Sequence, residues 1–196
     1  MTFFIAPSPD IAYAESEYVY WENGFTDDEI NQIIELGNSY STETGTLFGD
    51  RVNNEIRLCQ VSWIPYENKS DFLYQKLANI TRNLNGQFFG FDLVSFTEKL
   101  QYTVYTGESN DHYTWHMDKG TKTEAPRKLS LVLQLSDPSD YEGGDLEILT
   151  GINPIQLEKR KGIVWCFPSY ILHRVTPVTK GVRRTIVAWV SGPKST

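Results

Sequence analysis

Asn110-Asp-His-Tyr-Thr-Trp-His-Met-Asp118 is the stretch on which the fold turns. Read as a helix, it sets His112 and His116 four apart on one face, the spacing of a zinc pair in many hydrolases. Read as a strand, it points His116 and Asp118 to one side and Met117 to the other. The residues favour the strand: no Glu follows His112, and turn-forming, β-branched and aromatic side chains are poor helix material. A His-x-Asp pair on a strand needs a third ligand from elsewhere in the fold. His173 is the candidate. It lies in Ser169-Tyr-Ile-Leu-His-Arg-Val-Thr176, a β-branched and aromatic run after Pro168 that reads as another strand.

Two imidazoles and one carboxylate on three corners of an ion leave the opposite face open, the donor set of non-haem Fe(II) oxygenases. Downstream, Arg183-Arg-Thr-Ile-Val-Ala-Trp-Val190 alternates as a strand does. Arg183, Thr185, Val187 and Trp189 share one of its faces. An arginine beside a large aromatic on one face suits a buried carboxylate, because its planar fork matches two oxygens.

Outward from this centre the chain reads as one enzyme domain. Its 196 residues, 40% apolar and 13% aromatic, suffice for a single sizeable core. Thr26-Asp-Asp-Glu29 is a capping box that opens a helix, with Ile30, Ile33, Ile34 and Gly37 at helical spacing to about Ser39. A second helix is expected over 71–84, where Leu73, Leu77, Ile80 and Leu84 form one stripe. Both stripes are scaffold rather than site. From about Gln87 onward short strands separated by Gly, Pro, Asn and Asp turns are expected, as in a double-sheeted jelly roll. The fold class is therefore mainly β with flanking helices (α+β) around a double-stranded β-helix core. Residues 1–95 are expected to form a support region of helices and strands packed on a catalytic core at 96–192, in one integrated domain.

Charge and composition bound the partners. A net charge of -7 and a pI near 5.0 disfavour a nucleic-acid backbone. There is no apolar run of about 18 residues to span a membrane. Met1-Thr-Phe-Phe-Ile-Ala-Pro7 has no basic segment of the kind that opens a signal peptide. Cys59 and Cys166, far apart in apolar surroundings, read as buried thiols, which suits a reducing cytoplasm. The polar segments 39–54 and 119–126 are candidate lids over the site, and 192–196 reads as a frayed end.

Taken together, several ordered motifs resemble the Fe(II)- and 2-oxoglutarate-dependent dioxygenases, and within them the prolyl 4-hydroxylase branch. The resemblance covers about residues 96–191. Glu98-Lys-Leu-Gln101, Tyr105, Tyr113 and the His116-x-Asp118 pair look like the first metal-binding strand and its approach. Arg127-Lys-Leu-Ser-Leu-Val-Leu-Gln-Leu-Ser136 and Tyr141-Glu-Gly-Gly-Asp-Leu-Glu-Ile148 look like the next core strands. Gly162-Ile-Val-Trp-Cys-Phe-Pro-Ser169, His173-Arg-Val175 and Gly181-Val-Arg183 complete the pattern.

What the resemblance implies is specific. His116, Asp118 and His173 would be the iron ligands, and Arg183 would pair with the distal carboxylate of 2-oxoglutarate. Tyr105 would hydrogen-bond that cosubstrate, with Thr185 and Trp189 lining its pocket. Gln134 stands where many relatives carry a tyrosine, and its amide offers a similar hydrogen bond with a shorter reach. Glu98, Arg127, Arg57 and Tyr113 fall where substrate contacts are expected. The implied reaction consumes O2 and 2-oxoglutarate, releases succinate and CO2, and hydroxylates a protein or peptide residue, proline foremost, with a reductant such as ascorbate rescuing oxidised iron. Two readings compete: the same chemistry on a free amino acid or other small molecule, and a jelly-roll binding protein without catalysis. A dead scaffold has no physical need for His116, Asp118, His173 and Arg183 together.

Overall fold

The structure is a computed structural model, and residues 16–45, 53–119 and 126–193 are described. In chain order the first half contains β1 (Val19–Trp21), α1 (Asp27–Asn38), β2 (Glu43–Thr44), β3 (Arg57–Leu58), β4 (Gln60–Ile64) and α2 (Asp71–Leu84). Strands then dominate: β5 (Leu100–Thr106), β6 (His112–His116), β7 (Arg127–Gln134), β8 (Tyr141–Gly143), β9 (Leu146–Leu149) and β10 (Ile155–Gln156). The last three are β11 (Val164–Pro168), β12 (Leu172–Val175) and β13 (Val178–Ser191). They form a major sheet, ordered β1-β11-β7-β13-β5-β4-β2 with β8 on β13, and a minor sheet, ordered β10-β9-β12-β6-β3.

Strand alternation divides the core in two. On the outer face of the major sheet, Leu100, Tyr102, Leu129, Leu131, Leu133, Ile186 and Ala188 pack with residues of both helices. From its inner face, Tyr105, Val132, Trp165 and Phe167 meet Leu146, Ile148 and Val175 of the minor sheet. The jelly-roll sandwich is thus closed by antiparallel pairing, with helices covering one side.

The helices form where the sequence signals them. Thr26 Oγ accepts from the Glu29 amide at 3.2 Å, and the Glu29 carboxylate accepts from the Thr26 amide at 2.8 Å, completing the capping box. Ile30, Ile33, Leu36 and Gly37 form the buried stripe of α1, and Leu73, Leu77, Ile80 and Leu84 lie in that of α2. Gly37 sits directly on the Tyr102 ring, where an added Cβ would fall 2.4 Å from the ring carbon. Gly37→Ala is expected to destabilise by on the order of 1–2 kcal/mol, because overpacking outweighs the gain of about 1 kcal/mol in helix propensity. Urea denaturation checks this; an unchanged or raised midpoint would show that the helix slides away freely.

Residues 112–116 are a strand, which removes the helical zinc pair. Instead, the two ring nitrogens of His112 lie 3.0 and 3.2 Å from the backbone carbonyl oxygens of Asn110 and Glu55. Strands also occur well before Gln87. Gln60-Val-Ser-Trp-Ile64 alternates enough to pair with β5, and Arg57–Leu58 pairs with β6, so this part of the chain joins both sheets. The extended run expected from Ser169 starts as a turn, in which the Ile171 amide donates to the Pro168 carbonyl, and becomes β12 only at Leu172. Cys59 and Cys166 are free and buried. Much of the two candidate lids, at 46–52 and 120–125, lies outside the described residues, as do 1–15 and 194–196. No described helix is long and apolar enough to cross a membrane.

Candidate metal and cosubstrate site

Antiparallel pairing of β6 with β12 sets His116 opposite His173, with ring centroids 4.2 Å apart. Asp118 follows two residues after β6 and turns back toward them. Its Oδ1 lies 3.6 Å from His116 Nε2 and its Oδ2 lies 3.5 Å from His173 Nε2. One donor atom from each residue falls within 4.8 Å of the others. Met117 points away and is 56% exposed, as a strand side chain between two inward neighbours should be.

Both imidazoles are fixed for this purpose. His116 Nδ1 donates to the Thr114 carbonyl at 2.7 Å, and His173 Nδ1 donates to the Ile171 carbonyl at 2.9 Å. A carbonyl only accepts, so each ring keeps its proton on Nδ1 and turns the Nε2 lone pair inward. The Tyr113 ring stacks on His116 at 3.4 Å, and Phe167 packs against His173 at 4.9 Å. Burial lowers the pKa of His116, so this imidazole stays neutral at pH 7. Burial opposes the charge of Asp118, yet His173 and His116 together hold its carboxyl below the usual range. Acceptors converging on one point with no hydrogen to share repel one another unless a cation sits between them. The donor set therefore fits one divalent ion, with an open side for further ligands.

A small cavity in the sandwich is lined by Val132, Gln134, Tyr141, Lys159, Trp165 and Arg183 among others. Arg183 is 3% exposed, with its guanidinium carbon 5.5 Å from the centre of the Tyr105 ring. Burial raises the pKa of Tyr105, keeping a neutral phenol beside this cation. Thr185 is buried on the same face of β13, paired with Thr103 and Gln134. Trp189 lies further along that face, opposite Ser130, with its buried indole N–H toward the Asp118 carboxylate, which it helps keep ionised.

Some side chains sit differently from their sequence reading. The Gln134 amide nitrogen donates to the Tyr141 hydroxyl at 2.9 Å and to the Ser136 carbonyl at 3.3 Å. Tyr141, which accepts that bond, keeps its own hydroxyl hydrogen for another partner, and sequence reading did not single it out. Its only signal was an aromatic opening Tyr141-Glu-Gly-Gly, where Gly143 and Gly144 adopt φ of +71° and +62°. Glu98 and Arg127 pair with each other, Nε to Oε1 at 2.6 Å. Arg127 also donates to the Asp118 carbonyl at 3.2 Å and covers the Trp189 ring at 3.8 Å. Arg57 is buried, donating to Gln101 at 3.1 Å and Cys59 Sγ at 3.3 Å, and lies over the Tyr113 ring. Of these four, Arg127 touches Asp118 and Tyr113 touches His116, while Glu98 and Arg57 are held against those two.

Comparison with known proteins follows the same lines. Residues 100–191, from the start of β5 to the end of β13, match the 2OG-Fe(II) oxygenase superfamily. Its fold is that of prolyl hydroxylases. A prolyl hydroxylase from Trichoplax adhaerens, solved in complex with a hypoxia inducible factor oxygen degradation domain peptide fragment, superposes with a TM-score of 0.75 at 19% identity, covering 89% of this chain and 83% of that one. A Pseudomonas putida prolyl-4-hydroxylase gives 0.72 at 20% identity, covering 89% and 92%. Among curated relatives, a PKHD-type hydroxylase of Synechococcus sp. (strain CC9902) is 42% identical over 89 residues, 44% of this chain and 39% of the relative. A PKHD-type hydroxylase of Escherichia coli is 30% identical over 124 residues, 60% of this chain and 55% of the relative. The match to the first such relatives spans 39% to 63% of their length. The superfamily takes Fe(II), 2-oxoglutarate and O2, and the His116, Asp118 and His173 donor set fits that metal.

Proposed function

We propose that this protein is an Fe(II)- and 2-oxoglutarate-dependent hydroxylase acting on a protein or peptide residue, proline foremost. The observation that carries the reading is the convergence of His116, Asp118 and His173 on one point, in a sandwich that also buries Arg183. When bound, iron and cosubstrate supply the oxidation: 2-oxoglutarate loses CO2 to become succinate, and one oxygen atom of O2 enters a substrate C–H bond.

The chain's own residues bind, orient and exclude water. His116 and His173 present neutral Nε2 atoms, and Asp118 offsets part of the metal charge. Arg183 holds the far carboxylate of the cosubstrate through its planar fork. Tyr105 and Thr185 line that carboxylate's surroundings, while Gln134 turns Tyr141 toward the cavity. The apolar walls, Val132 and Trp165, would keep bulk water from the cavity that Arg183 lines and so strengthen its charged contact.

Glu98 and Arg127 would meet substrate as one paired unit, and Arg57 over the Tyr113 ring as another beside His116. The buried free thiols Cys59 and Cys166 support a reducing compartment, the cytoplasm. Incubation with proline-containing peptides and with free proline, read by mass spectrometry, tests the substrate class. Gain of one oxygen on peptide alone is the expected result. Gain on free proline alone would replace the peptide reading with a small-molecule one.

A further inference from the structure

We infer that Ser169 is a positioning residue that orients the Asp118 carboxylate through Ser130. Ser130, on the inner face of β7, donates its hydroxyl hydrogen to Asp118 Oδ2 at 2.8 Å. Ser169 Oγ lies 3.0 Å from Ser130 Oγ. A hydroxyl has one hydrogen, and that of Ser130 is already committed to the carboxylate. Ser169 is therefore the donor in the second bond, and the relay runs from Ser169 to Ser130 to Asp118. Both serines are completely buried, so no water competes for either bond.

The position of Ser169 gives the relay its purpose. It stands at the head of the turn between β11 and β12, two residues before the Ile171 carbonyl that fixes His173 and four before His173 itself. One turn thus orients an imidazole through its backbone and the carboxylate through a side chain. Donation from Ser169 polarises the Ser130 hydroxyl and makes it the better donor. The bond from Ser130 to Oδ2 fixes how the Asp118 carboxylate is turned toward the two imidazoles that would hold the metal with it. If the two serines only filled space and satisfied each other, their removal would cost fold stability and leave metal affinity untouched.

This inference rests on the iron-site reading above, and the test separates the two. Anaerobic Fe(II) titration of the full chain is compared for wild type, Asp118→Ala, Ser130→Ala, Ser169→Ala and the double serine variant. Ser130→Ala is expected to weaken Fe(II) binding about 10–100-fold, the usual effect of removing a partner of a metal ligand. Ser169→Ala is expected to weaken it by roughly 3–10-fold alone and not at all once Ser130 is gone, since the relay is then already broken. Should Ser169→Ala fail to fold, Ser169→Cys, which keeps the shape with a poorer donor, enters the same cycle. Unchanged affinity on altering Ser169, or equal losses in both backgrounds, would overturn the relay. A wild type that binds no Fe(II), or an Asp118→Ala variant that binds it equally well, would instead overturn the iron site.

Discussion

Asp118→Ala is expected to bring 2-oxoglutarate-dependent succinate formation down to background while the metal-free protein keeps its fold. Only the side chain of Asp118 enters the metal cluster, and the Arg127 bond to its backbone carbonyl survives the substitution. The substitution leaves the buried Ser130 hydroxyl without its acceptor, a cost of about 1–3 kcal/mol that a fold of this size can absorb. The distinguishing observation is thermal. Free Fe(II) at a hundred times Kd stabilises a protein that binds it by about 2.7 kcal/mol. Wild type should show that metal-dependent rise in melting temperature under anaerobic conditions, and Asp118→Ala should not. A variant with intact turnover would place the third ligand elsewhere.

Arg183→Ala is the second large expected effect. Its guanidinium is buried and lines a cavity to which none of the three metal ligands contributes, so it contributes to holding the cosubstrate rather than to the reacting atoms. Truncating one partner of a buried, hydrogen-bonded charge pair costs about 2–5 kcal/mol, or roughly 30- to several thousand-fold in binding. The loss should fall on the KM and Kd for 2-oxoglutarate, with kcat at saturation changed far less, as expected for binding energy shared by ground and transition states. Arg183→Lys keeps the charge without the fork and should recover only part of the affinity. Unchanged 2-oxoglutarate affinity in a folded Arg183→Ala protein would remove Arg183 from the site.

The elements that could be read from the chain are those governed by short-range rules. A capping box at Thr26 and a leucine stripe over 71–84 set both helices, because caps and 3.6-residue periodicity are local. Alternation alone put His116 and Asp118 on one side and Met117 on the other. Arg183, Thr185 and Trp189 were likewise placed on one face by strand period. Other features depend on which strands become neighbours, and no local rule supplies that. Ser130 and Ser169 look like ordinary polar interruptions of apolar runs until β7 and β11 pair and bring them within 3.0 Å. Gln134 was read as a cosubstrate donor, but its amide hydrogens are directed to Tyr141 and Ser136, which only the folded turn brings within reach. Arg57 enters the interior because a two-residue strand pairs with β6, a segment too short to show any period. Glu98 and Arg127, 29 residues apart, were separate candidates that the fold makes a single ion pair.

The central claim is that His116, Asp118 and His173 hold Fe(II) with 2-oxoglutarate bound beside it. Anaerobic titration of the protein with Fe(II) and then 2-oxoglutarate, followed by visible absorption, tests it most directly. The account predicts a metal-to-ligand charge-transfer band in wild type that is absent in Asp118→Ala. Fe(II) bound by wild type with no band on adding 2-oxoglutarate would contradict it.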